Sequence, residues 1–254
     1  MDAIFAVVRW LTDPVHWAGP DGIPIRVWEH VTLSTVAILV ALAVALPTGL
    51  FIGHARRGEA LAINLANLGR AVPSYAVMVM ALPLTLSLDP ANGLTTYPIF
   101  AAMVLLAIPP VLVNAYVGVR GVDPDLVEAA RGMGMRQGEV LRYVELPLAL
   151  PVIIGGIRTA AVQVIATATL GAILAYGGLG RYLIDGIARQ EFDRLGAGVV
   201  LVAGLAILTG LALALVQRRF TPPGMRGDPG AGGAPAELSE LRQFANAPAP
   251  QAGP

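Results

Sequence analysis

DPDLVEAARGMGMRQGEVLRYVELPLALP, Asp123 to Pro151, is the longest polar interruption between the apolar blocks of this chain. It sets Asp123, Asp125, Glu128, Glu139 and Glu145 beside Arg131, Arg136 and Arg142, among small residues, glycines and prolines. Its local signals predict two short helices joined by a corner. Asp123-Pro124 reads as an N-cap followed by proline at the first helical position. Asp125 adds negative charge to the first turn, where the helix dipole favours it. The helix is expected to pass through Glu128-Ala129-Ala130 and stop near Gly132-Met133-Gly134, since glycine accepts positive φ. A second helix, about 136–144, is expected to end at Leu146-Pro147. Ala129 and Ala130 let another backbone come close, and Met133 and Met135 offer adaptable apolar contact.

Outside this stretch the chain reads as membrane. Its 254 residues are 56% hydrophobic and 13% charged, with mean hydropathy +0.68, whereas soluble domains carry about 25% charged residues. The apolar residues come in blocks of about 18 or more, enough to cross a hydrocarbon core about 30 Å thick. A β-barrel would show short alternating segments instead. The fold class is therefore all-α: a polytopic membrane protein with about five spans, at 31–53, 60–86, 98–119, 152–176 and 195–216. The polar stretch, taken as 120–151, joins the third span to the fourth. Pro109-Pro110 removes two ladder N–H groups and is expected to bend the third span, as Pro73 is the second. Residues 1–29 are expected to lie outside or at the interface, where Trp10, Trp17 and Trp28 suit the headgroup region. A loosely ordered tail is the other reading of that segment, and whether residues 1–12 form a sixth span is open. The mixed-charge stretch 177–194 reads as a connector. Residues 217–254, rich in Pro, Gly and Ala, read as a disordered cytoplasmic tail with one transient helix at 236–245.

All 17 basic residues are arginine and cysteine is absent. Without lysine there is no P-loop, so this chain does not hydrolyse ATP by that chemistry. Without cysteine there is no thiol catalysis, disulfide or thiolate metal site. His16, His30 and His54 make no HExxH pattern, and no metal site is expected. A net charge of zero argues against nucleic-acid binding. Short-loop arginines set orientation. With the N-terminus outside, Arg56, Arg57, Arg120, Arg131, Arg136, Arg142, Arg218, Arg219, Arg226 and Arg242 fall on the cytoplasmic side. Only Arg9, Arg26, Arg181, Arg189 and Arg194 fall outside. The polar stretch and the C-terminus are thus expected in the cytoplasm.

Glu128-Ala129-Ala130, Gly134, Val144 and Leu146-Pro147 fit the pattern EAA-x3-G-x9-hydrophobic-x-LP. This resembles the EAA loop of permease subunits of binding-protein-dependent type I ABC importers. VDPDLVEAARGMGM, VELPLALPVIIGGIRTA and TATLGAILAYGGLG resemble the osmoprotectant subfamily (glycine betaine, carnitine, choline) over about 30–216. The resemblance implies a type I permease fold in a bacterial plasma membrane. It implies a partner permease, identical or paralogous, two ABC ATPase subunits carrying the ATP and Mg that this chain lacks, and an extracytoplasmic binding protein. It makes Asp123, Pro124, Glu128, Ala129, Ala130, Gly132, Gly134, Val144, Leu146 and Pro147 the ATPase-coupling loop.

Polar residues inside spans need partners or water. Asn64, Asn67, Arg70 and Ser74 share one face of the second span, and Thr159, Gln163 and Thr167 one face of the fourth. Each stripe fits either a translocation path or a hydrogen-bonding seam between helices. Asn114 is a lone polar residue of the third span. It is carried as a path candidate, with an interhelical hydrogen bond as the plainer reading. Gly155, Gly156, Ala160, Ala161, Ala168 and Gly171 slim the fourth span for close packing. A quaternary ammonium is usually held by an aromatic cage. Aromatics are only 6% of this chain and do not cluster inside the spans, so selectivity is assigned to the binding protein. A permease for another small solute, such as methionine or a sulfonate, is the alternative. An integral membrane enzyme lacks a convergent set of groups, and a passive channel leaves the polar loop unexplained.

Overall fold

The computed structural model describes residues 2–58, 60, 62, 64, 67, 73–91 and 93–221. They form helices α1 (Asp2–Thr12), α2 (Ile23–His54), α3 (Ser74–Leu88), α4 (Thr96–Arg120), α5 (Pro124–Gly132), α6 (Gln137–Val140), α7 (Leu146–Ala168), α8 (Gly180–Arg189) and α9 (Phe192–Phe220). No strand occurs among the described residues. Four stretches are long and apolar enough to cross a membrane: Ile23–His54, Thr96–Arg120, Gln137–Leu174 and Phe192–Phe220. The span expected at 60–86 is described in its second half, as α3, and at scattered positions before it. The expected tail starts within α9, which continues to Phe220. Residues 222–254, including the expected transient helix, lie outside the described residues.

Small residues decide how the spans meet. Ala37, Ala41, Ala45, Gly49 and Gly53 recur every fourth residue along α2 and are all buried, a stripe that faces one way on a 3.6-residue helix. α4 lies against it: a Cβ on Gly49 would stand 2.6 Å from the Leu112 carbonyl oxygen and 2.7 Å from Ala115 Cβ. On its other side α4 meets α7, where Gly118 faces Ala149 and Gly156 faces Pro110 and Asn114. The core centres on Ala102, Met103, Ala107 and Val111 of α4, with Ala160, Val164 and Ala168 of α7. Hydrophobic association gains nothing between helices already in lipid, so close van der Waals contact of this kind holds them. α9 packs on α7 and leaves Ile207, Leu208, Leu211 and Leu215 facing outward, a lipid-type surface.

Several boundaries differ from the sequence expectation. The first span is one helix from Ile23, beginning before residue 31, because Pro24 fits its first turn and neither proline nor glycine follows until Pro47, which the helix carries without ending. Residues 2–12 are helical and pack through Val7, Trp10 and Leu11 on α9 and α2, leaving Ile4, Phe5 and Val8 exposed. The 177–194 connector contains α8. α4 stays one helix through Pro109-Pro110. Pro73 does not bend a helix: its ψ of 130° is extended, and α3 begins at the next residue.

Candidate functional site

The polar stretch is a built arm. The Asp123 carboxylate accepts from Asp125 N at 2.9 Å, and Pro124 occupies the first turn of α5. The corner is a Schellman turn: Met135 N donates to Ala130 O at 3.2 Å and Gly134 N to Arg131 O at 2.9 Å. Gly134, at φ +88°, takes the left-handed position, and Gly132 is still helical. Glu139 then accepts from Arg136 N at 2.6 Å, closing the start of α6. Val122, Val127, Ala130 and Val140 form a small core of the arm's own, backed by Met135, Val144 and Leu148. Glu128 and Ala129 remain exposed. So do Leu126, at 50%, and Met133, at 74%. Leu126, Ala129 and Met133 stand at i, i+3 and i+7, so they share the outward side of α5. Replacing Asp123 with alanine is expected to cost about 1 kcal/mol through the lost cap, read as faster hydrogen exchange confined to 124–132.

The second arm helix does not end at Leu146-Pro147, as the sequence suggested. Residues Leu141–Glu145 wind as one π-turn, with Leu146 N bonding five residues back to Leu141 O, and α7 follows without a break. Pro147 has no N–H, so it can sit where the ladder changes from five-residue to four-residue spacing. The arm's last turns and the fourth span are one continuous rod. Higher up, Gln217 Nε2 of α9 donates to Pro151 O at 2.8 Å. At the π-turn Glu145 is 1% exposed, and its Oε2 lies 2.5 Å from Nδ1 of His54, in the last turn of α2. Sequence reasoning passed over this pair because 91 positions separate its members. The one signal was an acid immediately before Leu-Pro, and it is the one residue of its turn that is buried.

The path candidates do not converge. Thr159 and Gln163, with Arg158, line an open, mostly apolar groove of about 620 Å3 between α7 and α9. Thr159 satisfies itself on Gly155 O at 3.1 Å. Thr167 is buried and does not line that groove. Among the described residues Asn114 makes no interhelical bond; its Nδ2 donates to Pro110 O within α4 at 2.7 Å. Ser74 opens α3, half-buried, and Asn64 and Asn67 are exposed. Arg70 lies outside the described residues.

The opposite end of the bundle carries a second polar group. His30 is 1% exposed. Its Nδ1 accepts from Leu179 N at 3.3 Å, which leaves Nε2 to donate to Ile165 O at 3.0 Å. Glu29 accepts from Gly178 N at 2.7 Å and from Arg26 at 2.9 Å, and Arg26 also pairs with Asp21. These bonds clamp the turn Tyr176–Leu179 onto α2. Burial raises the Tyr182 phenol above its ordinary value, while Arg26 and Arg194 pull it down. It donates to Asp21 O at 2.7 Å. Trp10 and Tyr182 meet edge to face at 5.3 Å. His16 stacks on Trp10 at 3.9 Å and Arg194 lies over Tyr182, so these faces already have partners.

Residues 45–226 match the model of the binding-protein-dependent transport system inner membrane component. The chain belongs to that family. The permease is 35% identical over 201 residues to the choline transport system permease protein OpuBB of Bacillus subtilis (strain 168), covering 79% of this chain and 89% of that one. It is 34% identical over 199 residues to the glycine betaine/carnitine/choline permease protein OpuCB of the same organism, covering 78% and 88%. It is 33% identical over 199 residues to the osmoprotectant import permease protein OsmW of Salmonella typhimurium, covering 78% and 92%. Its fold matches a solved inward-facing structure of the MetNI methionine ABC transporter with TM-score 0.68, 21% identity and coverage of 83% and 100%. The permease is thus an inner-membrane, multi-pass transport component with the type I importer fold, and not an enzyme.

Proposed function

We propose that this permease forms half of an ATP-driven import path for quaternary-ammonium osmoprotectants: glycine betaine, choline and carnitine. The arm 123–147 carries force from a partner ATPase, and the observation behind that reading is its construction. Leu126, Ala129 and Met133 present an exposed apolar ridge, while the side beneath is locked to the arm's own core. The rod that follows enters the membrane without a break in the helix. A ridge seated in a groove of the ATPase would drag α7 with it. ATP and Mg bind on that ATPase, the chain's arm and C-terminus face the cytoplasm, and an extracytoplasmic binding protein delivers the solute. A second permease copy or paralogue completes the path.

The substrate class rests on the relatives, three of which carry choline, glycine betaine, carnitine or osmoprotectant in their names. The Trp10 and Tyr182 rings at the end opposite the arm are engaged by His16 and Arg194, which supports leaving selectivity to the binding protein. The test is uptake by the permease with its ATPase and binding protein in proteoliposomes. Labelled choline or glycine betaine should enter only with ATP, and an excess of the other quaternary amines should compete. Uptake competed by methionine or a sulfonate, and by none of the amines, would favour the other small-solute reading.

A further inference from the structure

We infer that His54 and Glu145 form the joint through which the arm moves α2 together with α7. This rests on the arm being the coupling element. The rod runs unbroken from Gln137 into α7, and the Schellman corner ties α5 to its start, so force on α5 reaches α7 through backbone. Nothing in the backbone links that rod to α2. Leu46 and Leu50 of α2 pack against Ala149 and Ile153 of α7, an apolar contact that can slide; among the described residues the polar link at the level of the arm is the 2.5 Å hydrogen bond between His54 Nδ1 and Glu145 Oε2. Three features make it a joint rather than an incidental contact. Glu145 is 1% exposed, and an unpaired buried carboxylate is strongly unfavourable, so the pair resists separation while the rod moves. Glu145 lies in the π-turn, where the ladder changes spacing and the rod can deform locally. His54 is the final residue of α2, and the chain turns directly after it, with Arg56 at φ 53°. A pull on the imidazole therefore acts on the end of the first span. Just above, Gly53 packs against Val119 and Tyr116 of α4. The three spans meet within one turn of the joint.

The experiment measures solute imported per ATP hydrolysed by the complete reconstituted complex. Glu145→Leu keeps the volume and removes the bond; Glu145→Gln keeps a partner for the imidazole. With Glu145→Leu the ratio should fall roughly tenfold, the scale of a coupling free energy, while ATP hydrolysis stays near wild type. Glu145→Gln should restore most of it. His54→Ala should match Glu145→Leu, and the double variant should lose no more than either alone. Gly134→Val, which disturbs the arm tip and not the joint, serves as the reference. If Gly134→Val uncouples and Glu145→Leu does not, the joint is wrong and the arm stands. If neither uncouples, the arm reading has failed first. Losses that multiply in the double variant, or hydrolysis and import that fall together at constant ratio, also overturn the joint. Should Glu145→Leu not insert, Glu145→Gln with His54→Ala decides: the Gln variant must keep the ratio and the Ala variant must lose it.

Discussion

Gly134→Val is expected to leave the permease inserted and folded while import per ATP falls about tenfold or more. No neighbour lies within 4 Å of where a Cβ on Gly134 would be, so a side chain meets no steric obstacle there. The difficulty is the backbone. Gly134 holds φ +88° to let Met135 N reach Ala130 O and its own N reach Arg131 O. A β-branched residue in that conformation costs about 1–3 kcal/mol, which shifts a two-state equilibrium about 5- to 150-fold. The arm's core is four buried residues, too small to impose the strained turn. The corner should open and swing Met133 away from Leu126 and Ala129. Asparagine tolerates the left-handed region far better than valine, so Gly134→Asn should keep much of the import. Equal loss with valine and asparagine would mean that the partner needs the bare glycine surface and not the turn. Normal import with valine would remove the arm from the mechanism.

The parts of this arm that sequence could read are those determined by near neighbours. Asp123 caps because Asp125 N is two residues away, and Gly134 ends α5 because the Schellman bonds span only six residues. Spans were visible because a bilayer demands length and composition, whatever the packing. What failed was the junction. Leu146-Pro147 has the look of a stop, and by local rules it is one. In the fold the missing N–H falls at the change of hydrogen-bond spacing, where no donor is needed, so the helix runs on. The His54–Glu145 pair is invisible for a related reason: a contact between residues 91 apart leaves no periodicity in either segment. The Thr159–Gln163–Thr167 stripe was misleading in the other direction. Four-residue spacing puts side chains near one another on the helix, but α7 buries Thr167 and opens Thr159 and Gln163 to a groove. Spacing says which residues share a face, and only the neighbouring helices say what that face meets.

Gly156→Leu is expected to abolish the folded permease, and the smaller Gly156→Ala to lower its stability measurably. A Cβ at Gly156 would lie 2.4 Å from Asn114 Cβ and 2.7 Å from Pro110 O. Neither can step aside. Pro110 O is backbone, and Asn114 is pinned to it by the 2.7 Å bond from its own Nδ2. Moving Asn114 would break that bond, and moving Pro110 would shift the whole helix. Overpacking such a contact costs about 1–3 kcal/mol for a methyl, or roughly 2–12 °C in melting temperature for a chain of this length. Leucine adds three further carbons with no space to enter, so α4 and α7 must part. Gly155 supplies the control. It is the preceding residue on the same helix, yet its Cβ would meet only the end of the flexible Gln217 side chain, at 3.4 Å. Gly155→Ala should therefore melt within a degree or two of wild type in the same detergent. If both alanine variants lose stability alike, helix composition and not the α4–α7 contact explains the effect. If Gly156→Ala alone falls, the approach of Asn114 to Gly156 is what holds the two central spans at this distance. Asn114 then has a role that needs no solute: it satisfies itself on α4 so that α7 can come this close.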